Sequence, residues 1–189
     1  MKENPEENII NNFHSKLNNW GAQNITHYPW RNITNPYRIL ISEFMLHRTQ
    51  SRQVTPVYNN FIEKYPDLED FCNADAEDIK STMNHLGLMW RTEGMINAVK
   101  EIYSTYGSIP LDFEKLIAIR GIGQYIAGAT VCFATNEPVT LIDTNTVRVI
   151  GRIFGLKLQG EARRRKETKM TIEAVVDRYT PRYFYYTII

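Results

Sequence analysis

Cysteine is scarce in this chain: two of the 189 residues, Cys72 and Cys132. Two thiols are too few for a disulfide framework, and neither has a neighbour at zinc-ligand spacing. No stretch approaches the roughly 18 consecutive apolar residues of a membrane-spanning helix. The opening run, Met1-Lys2-Glu3-Asn4-Pro5-Glu6-Glu7, is acidic and has no apolar centre, so it does not read as a secretory signal. There is no internal repeat and no low-complexity segment. Strand-like pattern is confined to Val139-Thr140-Leu141-Ile142, too short to found a sheet. What is present is ordinary for a globular chain, with 43% apolar and 23% charged residues, and excludes gross disorder and collagen-like structure. The length suits one domain, or one domain of two lobes, with a real core. A reducing compartment fits best, the cytoplasm of a prokaryote or wherever the cell keeps its partner.

Charge of either sign is nearly balanced overall, at +1. Its distribution is not balanced. From Arg148 to Ile189 there are ten Lys or Arg against four Asp or Glu, and twelve against seventeen elsewhere. A basic end points weakly to a polyanion. It is equally the signature of one solvated basic helix around Arg163-Arg164-Arg165-Lys166.

The rest reads as helices joined by short polar turns. Asn8 to Trp20 repeats apolar residues at helical spacing. Tyr37 to Thr49 is apolar on nearly every side, which marks a helix enclosed by others. Val54 to Tyr65, Glu93 to Tyr106 and a short Asp112 to Ile117 follow. Asp67 and Asp75 each precede an acidic, then apolar, helix start. Ile126 to Ala134 carries no charge and predicts a central buried helix. The expected fold is all-α, packed by ridges and grooves.

Several positions could carry chemistry. Gly121-x-Gly123 lies between a short helix and the buried one. Two glycines there allow positive φ and let backbone N–H groups point outward, an anion cradle, or else form a plain helix-helix turn. Asp143 precedes a helix whose buried stripe is Val147, Ile150, Ile153 and Phe154. It is a natural N-cap, structural or functional, and helix amides favour a carboxylate there. Glu43 stands among Leu40, Ile41, Phe44, Met45 and Leu46. A carboxyl so placed must be ion-paired, with Arg31 or Arg38, or held protonated. Two carboxyls in such different surroundings suit division of acid and electrostatic roles at a glycosidic bond. Tyr125 falls in the first turn of the buried helix, where most tyrosines are core with a wet hydroxyl. Arg48, Arg52 and Arg91 flank helix ends, and each by itself passes as a surface charge.

The order of these pieces carries more than any one of them. Pro29-Trp30-Arg31, then Pro36-Tyr37-x-Ile39-Leu40-Ile41-Ser42-Glu43-x-Met45-Leu46-x-Arg48-Thr49-Gln50, then His85-Leu86-Gly87, then Gly121-Ile122-Gly123-x-Tyr125-x-Ala127-Gly128-Ala129, then Ile142-Asp143-x-Asn145-x-x-Arg148-Val149 occur in series. The series resembles the helix-hairpin-helix DNA glycosylase superfamily (endonuclease III and MutY type). It is most similar to the branch of adenine glycosylases and archaeal thymine-DNA mismatch glycosylases. The resemblance runs from about Pro29 to the last residue.

By that resemblance, Asp143 is the catalytic aspartate and Glu43 the second carboxylate. The hairpin Gly121-Ile122-Gly123, with Gln124, grips the DNA backbone, with a monovalent cation as a possible companion. Arg48 is the side chain inserted where the flipped base was, and Met89 a wedge. Tyr125 stands where strand-cutting members carry a Schiff-base lysine. Without an amine there, a lyase step has no agent. Adenine glycosylases usually have serine and the thymine branch tyrosine, and Arg148 to Phe154 also looks like the thymine branch.

Three departures accompany the likeness. Arg120 replaces the usual proline before the hairpin. The four-cysteine iron–sulfur loop that the family places after its last helix has no counterpart here, so no cofactor is expected in this chain. The C-terminal reader of oxidised guanine that adenine glycosylases carry is missing too. The resemblance implies two helical lobes with a cleft between them, Asp143 and Glu43 facing across it. Residues 1–36 and 147–189 would form a discontinuous lobe and residues 37–146 a continuous one bearing the hairpin. The implied activity is a monofunctional DNA glycosylase of base excision repair, a hydrolase that flips thymine or uracil from a mispair with guanine. The implied partner is mismatched double-stranded DNA, bound by a monomer with no membrane involved. The alternatives are an adenine glycosylase acting opposite guanine or oxidised guanine, and a non-catalytic helix-hairpin-helix DNA-binding module.

Overall fold

The computed structural model describes residues 5–87 and 89–189; residues 1–4 of the acidic opening and Leu88 lie outside them. Helices α1 (Pro5–Asn24), α2 (Pro36–Leu46), α3 (Ser51–Lys64), α4 (Leu68–Asn73), α5 (Ala76–Met83), α6 (Met89–Tyr106), α7 (Phe113–Ile117), α8 (Gln124–Thr135), α9 (Thr144–Ile153), α10 (Lys166–Val175) and α11 (Pro181–Ile188) follow in order. Two 3-10 turns, Asn84–Leu86 and Ala162–Arg164, interrupt the series. The chain is all-α among the described residues. None of these helices is long and apolar enough to cross a membrane.

The chain divides into two compact units, one of His27–Thr135 and one joining the residues up to Thr26 with Asn136–Ile189. Both boundaries fall earlier than the 36/37 and 146/147 read from the sequence. The loop before α2 belongs with the first of these units because Trp30 is buried edge-on against Tyr58, 5.3 Å between ring centroids. The stretch after α8 belongs with the other. The Tyr185 hydroxyl of α11 donates to the Val139 carbonyl at 2.8 Å and accepts from the Leu141 N–H at 2.9 Å. That tether also explains why Val139–Ile142 pairs as no strand. A tyrosine, rather than a neighbouring strand, satisfies its backbone.

Within residues 27–135, α2 packs most extensively against α8. Asn35 caps α2 by accepting the Arg38 N–H, and Pro36 supplies the fixed φ that suits a first helical turn. Leu40, Ile41, Met45, Ala127 and Ala129 are fully buried. Burial of such side chains contributes about 1.5–3 kcal/mol each, less for the alanines. The α2 helix stops at Leu46, earlier than the Thr49 that apolar pattern had indicated, and α6 begins at Met89 rather than Glu93.

In the other unit, Phe13 of α1 packs edge-on against Phe184 of α11 and Phe154 after α9. His14 Nε2 bonds the Val175 carbonyl at 2.6 Å. The basic run 163–166 is not one helix. Arg163 and Arg164 close the second 3-10 turn, Arg165 is extended, and α10 starts at Lys166. Arg165 turns inward to the carbonyls of Lys157 and Gln159, at 2.8 and 2.6 Å, and so folds the preceding loop.

Candidate active site

Asp143 caps α9, as its sequence position implied. Its Oδ1 accepts the Thr146 N–H at 2.7 Å and the Thr146 hydroxyl as well. Thr146 is fully buried, so it fixes the carboxyl's orientation from below. Both bonds land on one oxygen. No described residue bonds the other, and Asp143 is half-buried. The caps Asp67, Asp75 and Asp112 also use one carboxylate oxygen, but all three are exposed, whereas Asp143 is half-buried and is fixed by a buried hydroxyl as well as by an N–H. Thr146, three residues on, carries no capping signal of its own in the sequence, since the capping box places Glu or Gln at that position.

Glu43 lies in the other unit, on α2, and is 5% exposed. Ser42 beside it is buried and donates back to the Ile39 carbonyl at 2.7 Å. Of the two arginines named as partners, Arg38 does not serve. Its guanidinium is taken by the Pro66 carbonyl, at 3.3–3.4 Å. Arg31 lies over the Tyr28 ring, 5.2 Å from its centroid.

The glycine turn joins α7 to α8. Ile122 is buried and its N–H donates to the Ile119 carbonyl at 3.1 Å, closing the turn, while Arg120, Gly121, Gly123 and Gln124 are exposed. Only Gly121 is left-handed, at φ 93°, and a Cβ on it would lie 3.4 Å from the Gly94 carbonyl oxygen of α6. Gly123 is not at positive φ, and a Cβ there would meet nothing within 4 Å. Of the two glycines that allow positive φ, Gly121 alone adopts it. Gly123 leaves open space in front of the N-terminus of α8, where N–H groups and the dipole favour an anion. Tyr125 sits in the first turn of α8, half-buried.

Arg48 and Met89 emerge from two neighbouring turns of the same unit. Arg48 is exposed, at φ 64° just beyond the end of α2. Met89 is 42% exposed at the start of α6. Next to it Trp90, unmarked in the sequence, is 56% exposed, its ring edge-on to His47 at 6.2 Å. Partial burial, then the Arg48 and Arg91 cations, hold the His47 imidazole below its usual range. Arg91 is not the surface charge its position had implied, being 3% exposed. Arg52 reaches only to the Gln50 side chain, at 2.9 Å.

The sequence profile described as HhH-GPD superfamily base excision DNA repair protein matches residues 41–176, which include Glu43, the glycine turn and Asp143. The chain belongs to this superfamily. Among its HhH-GPD relatives, the thymine-DNA glycosylase of Aeropyrum pernix is 33% identical over 156 residues, covering 82% of this chain and 69% of that protein. The thymine/uracil-DNA glycosylase of Pyrobaculum aerophilum is 31% identical over 68% of this chain and 57% of its own length. Among solved structures, that of a thermostable thymine-DNA glycosylase superposes with a TM-score of 0.87 at 26% identity. It covers 98% of this chain and 86% of the other.

An iron–sulfur cluster of the kind met in this superfamily needs four thiolates. These residues do not fit one. The two cysteines lie on different helices, Cys72 on α4 and Cys132 buried in α8. No group of three His, Cys, Asp or Glu among the described residues could hold a metal ion.

Proposed function

We propose that this HhH-GPD chain is a monofunctional DNA glycosylase that removes thymine or uracil mispaired with guanine. The observation that carries the reading is the half-buried carboxyl of Asp143, fixed on one oxygen by both the N–H and the hydroxyl of the buried Thr146. Thymine-DNA glycosylases among the relatives support the choice of base.

In this reading the duplex is gripped at the glycine turn through its backbone, and the target nucleotide is rotated out of the stack. As the C1′–N1 bond stretches, positive charge develops on the sugar ring. Asp143, fixed by Thr146, stabilises that charge and orients a water. The water oxygen bonds to C1′, one of its protons passes to the Asp143 carboxylate, and the base leaves with the bonding pair. Glu43, in its apolar surroundings, assists at the departing base or the water. Tyr125 shapes the pocket for a pyrimidine. Arg48 fills the gap and engages the widowed guanine, whose edge offers acceptors at O6 and N7. Met89 wedges the neighbouring step. The partner is mismatched duplex DNA, bound by a monomer in the compartment that holds the DNA. A monovalent cation at the hairpin Gly121-Ile122-Gly123 belongs to the same reading, and a potassium dependence of duplex binding tests it.

The deciding measurement is base release from duplexes carrying T·G, U·G, A·G and A opposite oxidised guanine, each with and without alkali. Thymine and uracil are released from the first two. Asp143→Asn abolishes release and keeps duplex binding; substantial turnover by this variant sinks the mechanism. The strand stays intact until alkali is added, since position 125 offers no amine, and a covalent complex trapped by borohydride contradicts that. Faster release of adenine than of thymine moves the assignment to the adenine branch. Binding with no release from any duplex leaves the non-catalytic module.

A further inference from the structure

Arg91 is a buried cation that the reaction just described does not use. It lies in the first turn of α6, where the helix dipole disfavours positive charge. No described carboxylate pairs with it. Its acceptors are instead carbonyls and one hydroxyl, and they come from two separate turns. Nη1 donates to the Met45 carbonyl at 3.2 Å, to the His47 carbonyl, and to Thr49 Oγ1 at 2.8 Å. Nη2 donates to the carbonyls of Leu86 and Gly87, each at 3.4 Å. Nε has no partner.

The first set is the carbonyl end of α2 and the turn on which Arg48 stands. Orphan carbonyls at a helix C-terminus carry partial negative charge, which a guanidinium complements. The second set is the turn that leads into Met89. The planar fork of a guanidinium can address both turns at once, as a single-point ammonium cannot. His47 against Trp90 makes a second bridge between the same two turns.

We propose that Arg91 is a positioning residue that couples these two turns, so that Arg48 and Met89 are presented to the duplex as one rigid pair. Holding Arg48 left-handed is part of the task, because an L side chain adopts φ near 64° only against a steric cost. The proposal rests on the reading that Arg48 and Met89 enter the DNA. It adds that their spacing is set by a residue that touches neither base nor phosphate.

The experiment compares Arg91→Lys and Thr49→Val, each alone and combined with Arg48→Ala. The first readout is the ratio of thymine release opposite guanine to that opposite cytosine. Arg91→Lys lowers this ratio by about fivefold, and Thr49→Val by about twofold, through loss of Arg48 geometry. In the Arg48→Ala background neither variant lowers it further. Equal loss of rate on both duplexes, or effects that add to Arg48→Ala, overturns the proposal and leaves Arg91 as packing. Thr49→Val keeps the test alive if Arg91→Lys does not fold.

The second readout needs no activity. Amide exchange in 46–50 and in 84–90 accelerates together in Arg91→Lys, by about tenfold, while α3 is unchanged. Loosening of one turn alone overturns the coupling. If the wild-type protein releases no thymine from T·G, the glycosylase reading falls, and the exchange measurement still decides whether Arg91 joins the turns.

Discussion

The turn at 118–123 and the turn at 47–50 each place one residue at positive φ, Gly121 at 93° and Arg48 at 64°. The first does so with a residue that has no Cβ to clash, and its closing hydrogen bond, Ile122 N–H to the Ile119 carbonyl, spans three residues. The second does so with a long, branched cation. What holds it comes from α6, through Arg91, whose acceptors in that turn lie 42 and 44 residues away in the chain. One turn is stabilised by its own composition, the other by its surroundings. The lesson concerns function. A turn meant to approach a backbone needs empty space, and glycine supplies it. In the proposed reading, the turn that presents Arg48 tolerates strain, and a buried donor supplies the restraint.

Three substitutions break or sharpen this contrast. The largest effect is expected from Gly121→Val. A β-branched residue at φ 93° is strained, and its Cβ meets the Gly94 carbonyl oxygen at 3.4 Å. Unfolding free energy falls by up to about 3 kcal/mol, read by denaturant titration, and affinity falls for every duplex alike. Selective loss for mismatches would show that the turn reads bases. Next comes Arg48→Gly, which relieves the backbone while removing the donors. The folded state gains about 1 kcal/mol, and guanine selectivity drops by about 1–3 kcal/mol if one bidentate contact is lost. A destabilised Arg48→Gly protein would mean that the turn is not strained. The smallest effect on the free protein belongs to Gly123→Val. With open space and no positive φ, its stability shifts by less than about 0.5 kcal/mol, yet duplex binding weakens. Unchanged binding would remove Gly123 from the DNA-facing surface.

The same division runs through the candidate site. Asp143 was legible because capping is local, with donor and acceptor three residues apart. The burial of Glu43 was legible because its own helix is apolar on every side. Its proposed pairing with Arg38 was not, since the Pro66 carbonyl competes for that guanidinium from 28 residues away. Trp90 passed unnoticed because exposure cannot be read from a residue type that is usually core.

Sequence alone determined the helical periods, the helix starts at Asp67, Asp75 and Asp143, and the glycine turn. These depend on dihedral preference and on hydrogen bonds within one turn of chain, which neighbouring residues fully specify. Tertiary structure decided that Val139–Ile142 would be held by Tyr185 rather than by a strand, that Arg165 would fold inward, and that Arg91 would be buried. In each case a backbone carbonyl or N–H is satisfied by a side chain distant in sequence or outside the local pattern. Which partner reaches a buried polar group first is a property of packing, and no spacing rule along the chain encodes it.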